Sequence, residues 1–187
     1  MASFRRAHPD VTFRLDTVDR QEATRRVVEG IADVAATYAM GPQHDVLVEC
    51  AVVIPVAAIV PSGHELAGRD RITLAELCAH PLALGPAGTS QRELFDIDAQ
   101  LEGLTVRPAL VCDALAPQYE FVRSGGGIAL VGDLHEGASA EGVAYVRVDH
   151  PVFRQREAQI QTMLGRRLPW AASQFTELLV SRLDRRQ

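Results

Sequence analysis

The stretch G-P-A-G-T-S-Q-R, Gly85 to Arg92, places two hydroxyls, an amide and a guanidinium between an apolar run and a helical pattern. A loop that leaves a strand and enters a helix can hold an anion, because the first N–H groups of the helix have no partner within it. Thr89 or Ser90 is placed to be the N-cap, which leaves its neighbour and Gln91 open to a ligand; capping alone explains the same residues. Arg92 pairs with an anion or lies on the surface. A second loop, D-A-L-A-P-Q from Asp113 through Leu115 to Gln118, also leads into a helix, and it too is either a ligand loop or a plain helix entry.

A third candidate is F-V-R-S-G-G-G-I-A-L-V-G-D, Phe121 to Asp133. Phosphate cradles run strand, glycines, helix. Here a short helix containing Pro117 precedes Gly125 to Gly127, and the apolar run I-A-L-V follows as a buried strand. The order is reversed, so the glycines end a helix in a left-handed turn and feed a strand. Gly132, at the end of that strand, allows a backbone to approach a ligand or simply makes a turn.

Catalytic and metal chemistry find little support. No G-x-S-x-G occurs, the histidines are scattered singly, and His64 in P-S-G-H-E-L is the one tempting base. Cys50, Cys78 and Cys112 are odd in number and far apart, with no C-x-x-C, so a disulfide framework and a zinc site are not expected. No catalytic residue, metal or cofactor is expected. The three thiols read as small buried hydrophobes.

The 187 residues are enough for one good core or two small ones, and 47% apolar with 23% charged residues is ordinary for a globular protein. All 19 basic residues are arginine, and the net charge is −5. That charge argues against holding DNA through the bulk surface. The start has no apolar signal region and the longest apolar run, Ala51 to Pro61, is too short to span a membrane; a cytoplasmic setting is expected.

The elements that would position these loops alternate. V-T-F-R-L from Val11 reads as a strand, Arg20 to Gly30 as a helix closed by its glycine, and A-D-V-A-A-T as a second strand, a β-α-β unit that implies parallel pairing. The run from Val46 to Pro61 is too long for one strand and should break at Pro55, as a passage between two lobes does. Beyond it come a short helix in I-T-L-A-E-L, a strand in H-P-L-A-L-G-P, and a helix over 91–102 presenting Leu94, Ile97 and Leu101. A strand in R-P-A-L-V-C-D, the Pro117 helix and I-A-L-V follow. V-A-Y-V-R-V and A-Q-I-Q-T-M-L are two more strands, and Pro169 opens a last helix.

Several of these pieces, in this order, resemble the effector-binding (LysR substrate-binding) domain of LysR-type transcriptional regulators. They are H-P-D-V-T-F-R-L, V-V-E-G-I-A-D-V-A-A-T, V-P-S-G-H-E-L-A-G-R-D-R-I-T-L-A-E-L, H-P-L-A-L-G-P-A-G-T-S-Q-R, F-V-R-S-G-G-G-I-A-L-V and the Pro169 to Leu183 helix, which together span nearly the whole chain. The resemblance implies an α/β fold of two Rossmann-like lobes joined by two crossover strands, similar to type 2 periplasmic binding proteins. Lobe I would comprise 1–53 plus 166–187, and lobe II 54–165. A small, anionic or polar effector would sit in the cleft between lobes and contact Thr37, Tyr38, Thr89, Ser90, Gln91, Asp113, Leu115 and Gly132; Thr37 and Tyr38 would follow the strand A-D-V-A-A. The family also implies homo-oligomers, and DNA binding through a winged helix-turn-helix that these residues do not contain. A solute-binding protein of the same fold is the alternative, as is a non-functional fragment. The resemblance further implies a chain opening at the last turn of the family's first helix, F-R-R-A, so that the first lobe lacks a central strand and is rearranged or poorly ordered, while the second folds well.

The charge and the missing recognition helix make one expectation testable. The chain alone should not retard promoter DNA at near-physiological salt; a sequence-preferring shift in an electrophoretic assay would contradict it.

Overall fold

A computed structural model describes residues 1–39, 44–132, 141–155 and 157–184. The chain forms two compact units, one of 1–52 with 157–187 and one of 53–156. In the first unit come α1 (Ala2–Ala7), α2 (Arg20–Val28), β1 (Val34–Ala39) and β2 (Val46–Val53). The second unit holds β3 (Val56–Pro61), β4 (Arg71–Ile72), α3 (Leu74–Cys78), β5 (Leu82–Leu84) and α4 (Ser90–Leu101). It continues with β6 (Leu110–Val111), α5 (Leu115–Arg123), β7 (Ile128–Gly132), β8 (Val143–Val148) and a 3-10 turn (Pro151–Gln155). β9 (Glu157–Met163) and α6 (Trp170–Asp184) belong to the first unit.

The first sheet has the order β1-β9-β2, and β1 pairs antiparallel with β9 from Val34↔Thr162 to Ala39↔Glu157. The expected parallel β-α-β pairing is therefore absent among the described residues. Val11 to Leu15 forms no strand. Its apolar alternation serves an aromatic cluster instead: Phe13 packs edge-on against Phe175 with ring centroids 4.8 Å apart and against Phe4 at 5.9 Å, while Leu15 stays exposed. An alternating stretch becomes a strand only where a neighbour offers a ladder, and none of the described strands pairs with this one.

α2 forms where the pattern placed it. The Asp19 carboxylate accepts from the Glu22 N–H at 2.8 Å, Val27 is buried against Ala35 and Val46, and Gly30 takes φ +69° just past the end. On its outer side Glu22 accepts from both Arg25 and Arg26, which hold its carboxyl down at about 2. A polar line crosses the interior of this unit: Thr24 Oγ1 donates to Gln161 Oε1 at 3.0 Å, and Gln161 Nε2 donates to Gln159 Oε1 at 3.0 Å.

The second sheet runs β4-β8-β3-β7-β5-β6. β5 lies parallel to both β6 and β7, whereas β3 is antiparallel to β7 and β8. Val56 to Val60, Leu82 to Leu84 and Ile128 to Val131 are buried, as continuous apolar runs are when helices cover both faces. The break expected at Pro55 is there: β2 belongs to the first sheet and β3 to the second. α4 differs from its expected face. Leu94, Phe95, Asp98 and Ala99 are buried, whereas Ile97 and Leu101 are exposed at 52% and 79%. Asp98 and Glu102 flank His150, at 2.9 Å from Nδ1 and 3.1 Å from Nε2, which accounts for a buried carboxyl on the inner face.

The three glycines act as punctuation. Gly125, at φ +76°, follows the end of α5, and its N–H and that of Gly126 donate back to the carbonyls of Val122 and Phe121 at 2.9 Å. Gly127 has φ +149°, and a Cβ there would lie 2.2 Å from the Pro81 carbonyl oxygen. Gly127→Ala should thus destabilise the second unit by about 2–4 kcal/mol, combining backbone strain with overpacking, as read from urea unfolding. Gly125→Asn, whose Cβ meets open space, should cost far less.

Candidate functional site

Parallel pairing of β5 with β6 and β7 brings the carboxyl ends of three strands to one edge of the second sheet. Chain segments leave that edge at Gly85, at Cys112 and at Gly132. In an open α/β sheet this edge is where loops and helix N-termini converge on a ligand.

The Gly85 loop enters α4. Thr89 is the N-cap by backbone conformation, with φ −77° and ψ 141°, yet its side chain does not cap. Its hydroxyl donates backward to the Pro86 carbonyl at 3.0 Å. The first helix-type bond is Glu93 N–H to Thr89 O at 2.9 Å. The N–H groups of Ser90, Gln91 and Arg92 therefore have no acceptor among the described residues. The expectation that one hydroxyl caps the helix is corrected here: neither does. Ser90 is nevertheless buried, at 8% exposure, and its hydroxyl has no partner among the described residues. Gln91 carries a buried Nε2 without a partner among the described residues.

Arg92 is neither a surface side chain nor a free cation. Its Nε donates to both oxygens of Asp96, at 2.7 and 2.8 Å, and a terminal nitrogen donates to the Gly85 carbonyl at 3.3 Å. The guanidinium thus braces the loop against the helix that follows, and its charge is already matched.

The second loop enters α5 in the same unsatisfied manner. Ala114 stands at the N-cap, where no side chain accepts from the helix. Asp113 is exposed and does not serve as a cap. Leu115 is the first helical residue and is 56% exposed. Gln118, the end of that candidate stretch, lies one turn into the helix and is 4% exposed; its Nε2 donates to the Cys112 carbonyl at 2.5 Å, and its Oε1 has no partner among the described residues. A polar residue spaced four before buried Val122 on an apolar helix face was the available signal. Gly132 closes β7 opposite Val56.

Thr37 and Tyr38 are not in a loop. They lie within β1, paired with Gln159 and Ala158 of β9, and they belong to the first unit. The strand extends two residues beyond the apolar alternation because β9 continues to pair with it. His64 sits in the turn after β3, where Nδ1 accepts from the Leu66 N–H at 3.2 Å and the ring packs on His80. Burial first, and then Glu102, push the Cys78 thiol up to about 11. Among the described residues no cluster of His, Cys, Asp or Glu has metal-holding geometry, and no helix is long and apolar enough to cross a membrane.

The LysR substrate binding domain model matches residues 1–184. The chain is 28% identical over 190 residues to the RuBisCO operon transcriptional regulator of Allochromatium vinosum, across 99% of this chain and 62% of that protein. It spans less than two thirds of the length of the curated relatives it matches. Its fold is similar to the regulatory domain of CcmR from Synechocystis PCC6803, solved with 2-PG, with a TM-score of 0.72 at 15% identity over 97% of this chain and 88% of that one. It is equally similar to the effector binding domain of QuiR, solved with shikimate, with a TM-score of 0.72 at 14% identity over 98% and 88%. These are regulatory domains and not enzymes, and their architecture is that of type 2 periplasmic binding proteins. The chain belongs to the LysR substrate-binding domain family.

Proposed function

We propose that this chain is the effector-sensing part of a LysR-type transcriptional regulator and that a small anionic or polar molecule binds at the loops leaving β5, β6 and β7. The observation that carries this reading is the uncapped N-terminus of α4, where N–H groups with no acceptor among the described residues stand beside buried Ser90 and the Gln91 Nε2, which has no partner among the described residues. Such an end favours negative charge, and an incoming carboxylate meets donors that need no reorganisation. Thr89, Ser90 and Gln91 would supply the donors, Asp113 and Leu115 the neighbouring loop, and Gly132 a backbone that a ligand can approach. The solved relatives whose ligands are 2-PG and shikimate support a small organic ligand by analogy. In the whole regulator, DNA contact would come from a winged helix-turn-helix outside these residues, homo-oligomers would form, and the setting would be the cytoplasm.

A thermal-shift screen against small organic acids tests the reading, because a ligand that binds only the folded state at a hundredfold excess over its Kd adds about 2.7 kcal/mol. Thr89→Ala with Ser90→Ala should weaken a hit by about 1–3 kcal/mol, and an unchanged Kd would remove this loop from the site. Thr89→Asp should act in the opposite sense on stability. Its carboxylate can accept from the free N–H groups, so unfolding should become harder by about 0.5–2 kcal/mol in urea while binding of the acid is lost.

A further inference from the structure

α5 packs across β3, β7 and β8, and several of the strand residues beneath it are small. Ala57, Ala83 and Ala129 are buried in one cluster with Val122 of the helix, which lets the helix lie close to the sheet. Two tyrosines pack against that cluster and meet at its border. Tyr119 comes from α5 and Tyr145 from β8, where it stands opposite Ile59 of β3. Their hydroxyls are hydrogen-bonded to each other, with ring centroids 6.5 Å apart and ring planes at 58°. Among the described residues neither hydroxyl bonds to any other group. Both side chains are half-buried, so the pair is held by packing yet open on one side.

Two phenols whose oxygens touch also bring together the ring carbons ortho to those oxygens. In a dityrosine the new bond joins these ortho carbons, and the two hydroxyls still face each other. The folded chain therefore holds the rings near the geometry of the coupled product. Burial first, and then the Tyr145 hydroxyl, hold Tyr119 above the ordinary phenol range, so it stays protonated and must lose its proton with its electron. Tyr38, the third tyrosine of the chain, belongs to the first unit.

We propose that Tyr119 and Tyr145 are an oxidative cross-linking site, at which a diffusible one-electron oxidant joins the two rings through their ortho carbons. Each phenol gives one electron to one equivalent of oxidant and its hydroxyl proton to solvent, leaving a phenoxyl radical. The radicals couple through one new C–C bond. The two ring hydrogens at that bond then move to the oxygens, which restores both phenols. Coupling stays within one chain because groups held side by side react at an effective concentration far above that of the protein. The product ties α5 to β8 across a sequence separation of 26 residues. This site is independent of the effector reading of the loops.

The 187-residue chain, dilute and folded, is illuminated with ruthenium tris-bipyridine and persulfate, which generate ruthenium(III) as the one-electron oxidant. Dityrosine fluorescence should appear in a monomeric product lighter by two hydrogens, and mass spectrometry of its peptides should place the link between Tyr119 and Tyr145. Tyr119→Phe and Tyr145→Phe, each shown by circular dichroism to be folded, should lose this product, whereas Tyr38→Phe should keep it. Unfolding the unmodified chain in urea before illumination should lower the intramolecular yield about tenfold or more, because the rings are then no longer held together. A link that involves Tyr38, or links found only between chains, would overturn the proposal. So would an equal yield from the unfolded chain, or oxidation of the tyrosines without coupling.

Discussion

The Pro81 carbonyl occupies the space that a side chain at position 127 would need. It accepts from the Ile128 N–H at 2.9 Å, and this bond starts the parallel ladder between β5 and β7. Because residue 127 is glycine, β7 can come up against β5 directly after the left-handed turn at Gly125. That approach brings Ile128 to Val131 into the core and points Gly132 to the edge from which Gly85 and Cys112 also depart. The candidate site therefore depends on a contact at the opposite end of the strands. Three glycines that look like a phosphate loop act on the candidate edge at a distance, by setting register.

What was legible in the sequence follows from how local the cause is. The helix from Arg20 could be read because Asp19, the buried Val27 and Gly30 all lie within its own span. The same holds for Thr73 and Glu76, whose reciprocal bonds form a capping box at the start of α3. Pairing is not local. V-T-F-R-L has strand alternation, yet Phe13 goes to Phe175 and Phe4, from the far end and the start of the chain. Nothing within that stretch shows whether a neighbouring strand exists, and the direction of β1 pairing was misjudged for the same reason.

The site was legible to the level of loops and not of atoms. Spacing located Gly85 to Arg92 and Asp113 to Gln118 at strand-to-helix junctions, which is a matter of element order. Whether Thr89 turns its hydroxyl to the helix or back to Pro86 depends on the backbone path through Pro86 and Gly88, with Gly88 at φ +89°. Whether Arg92 is free depends on Asp96, one turn later, where the i,i+4 spacing was visible but its competition with a ligand was not. The burial of Gln118 required knowing which face of α5 meets the sheet.

Among α2 to α5 the helix starts divide by position, while α1 also lacks a side-chain cap. α2 and α3 begin with side-chain caps, whereas α4 and α5, which begin at adjoining strand ends, have none. Each absent cap forgoes about 0.5–2 kcal/mol. A domain is stable by only about 5–15 kcal/mol, so two such omissions form an appreciable fraction of the total, concentrated at one edge. An acceptor on a ligand at the proposed site would restore what the missing caps withhold, so binding and local stability would be linked there by the same hydrogen bonds. A sensor needs that linkage, because a ligand shifts an equilibrium only through interactions it makes in one state and not in another. Capping α4 from within the chain would leave a more stable protein with less for an effector to add.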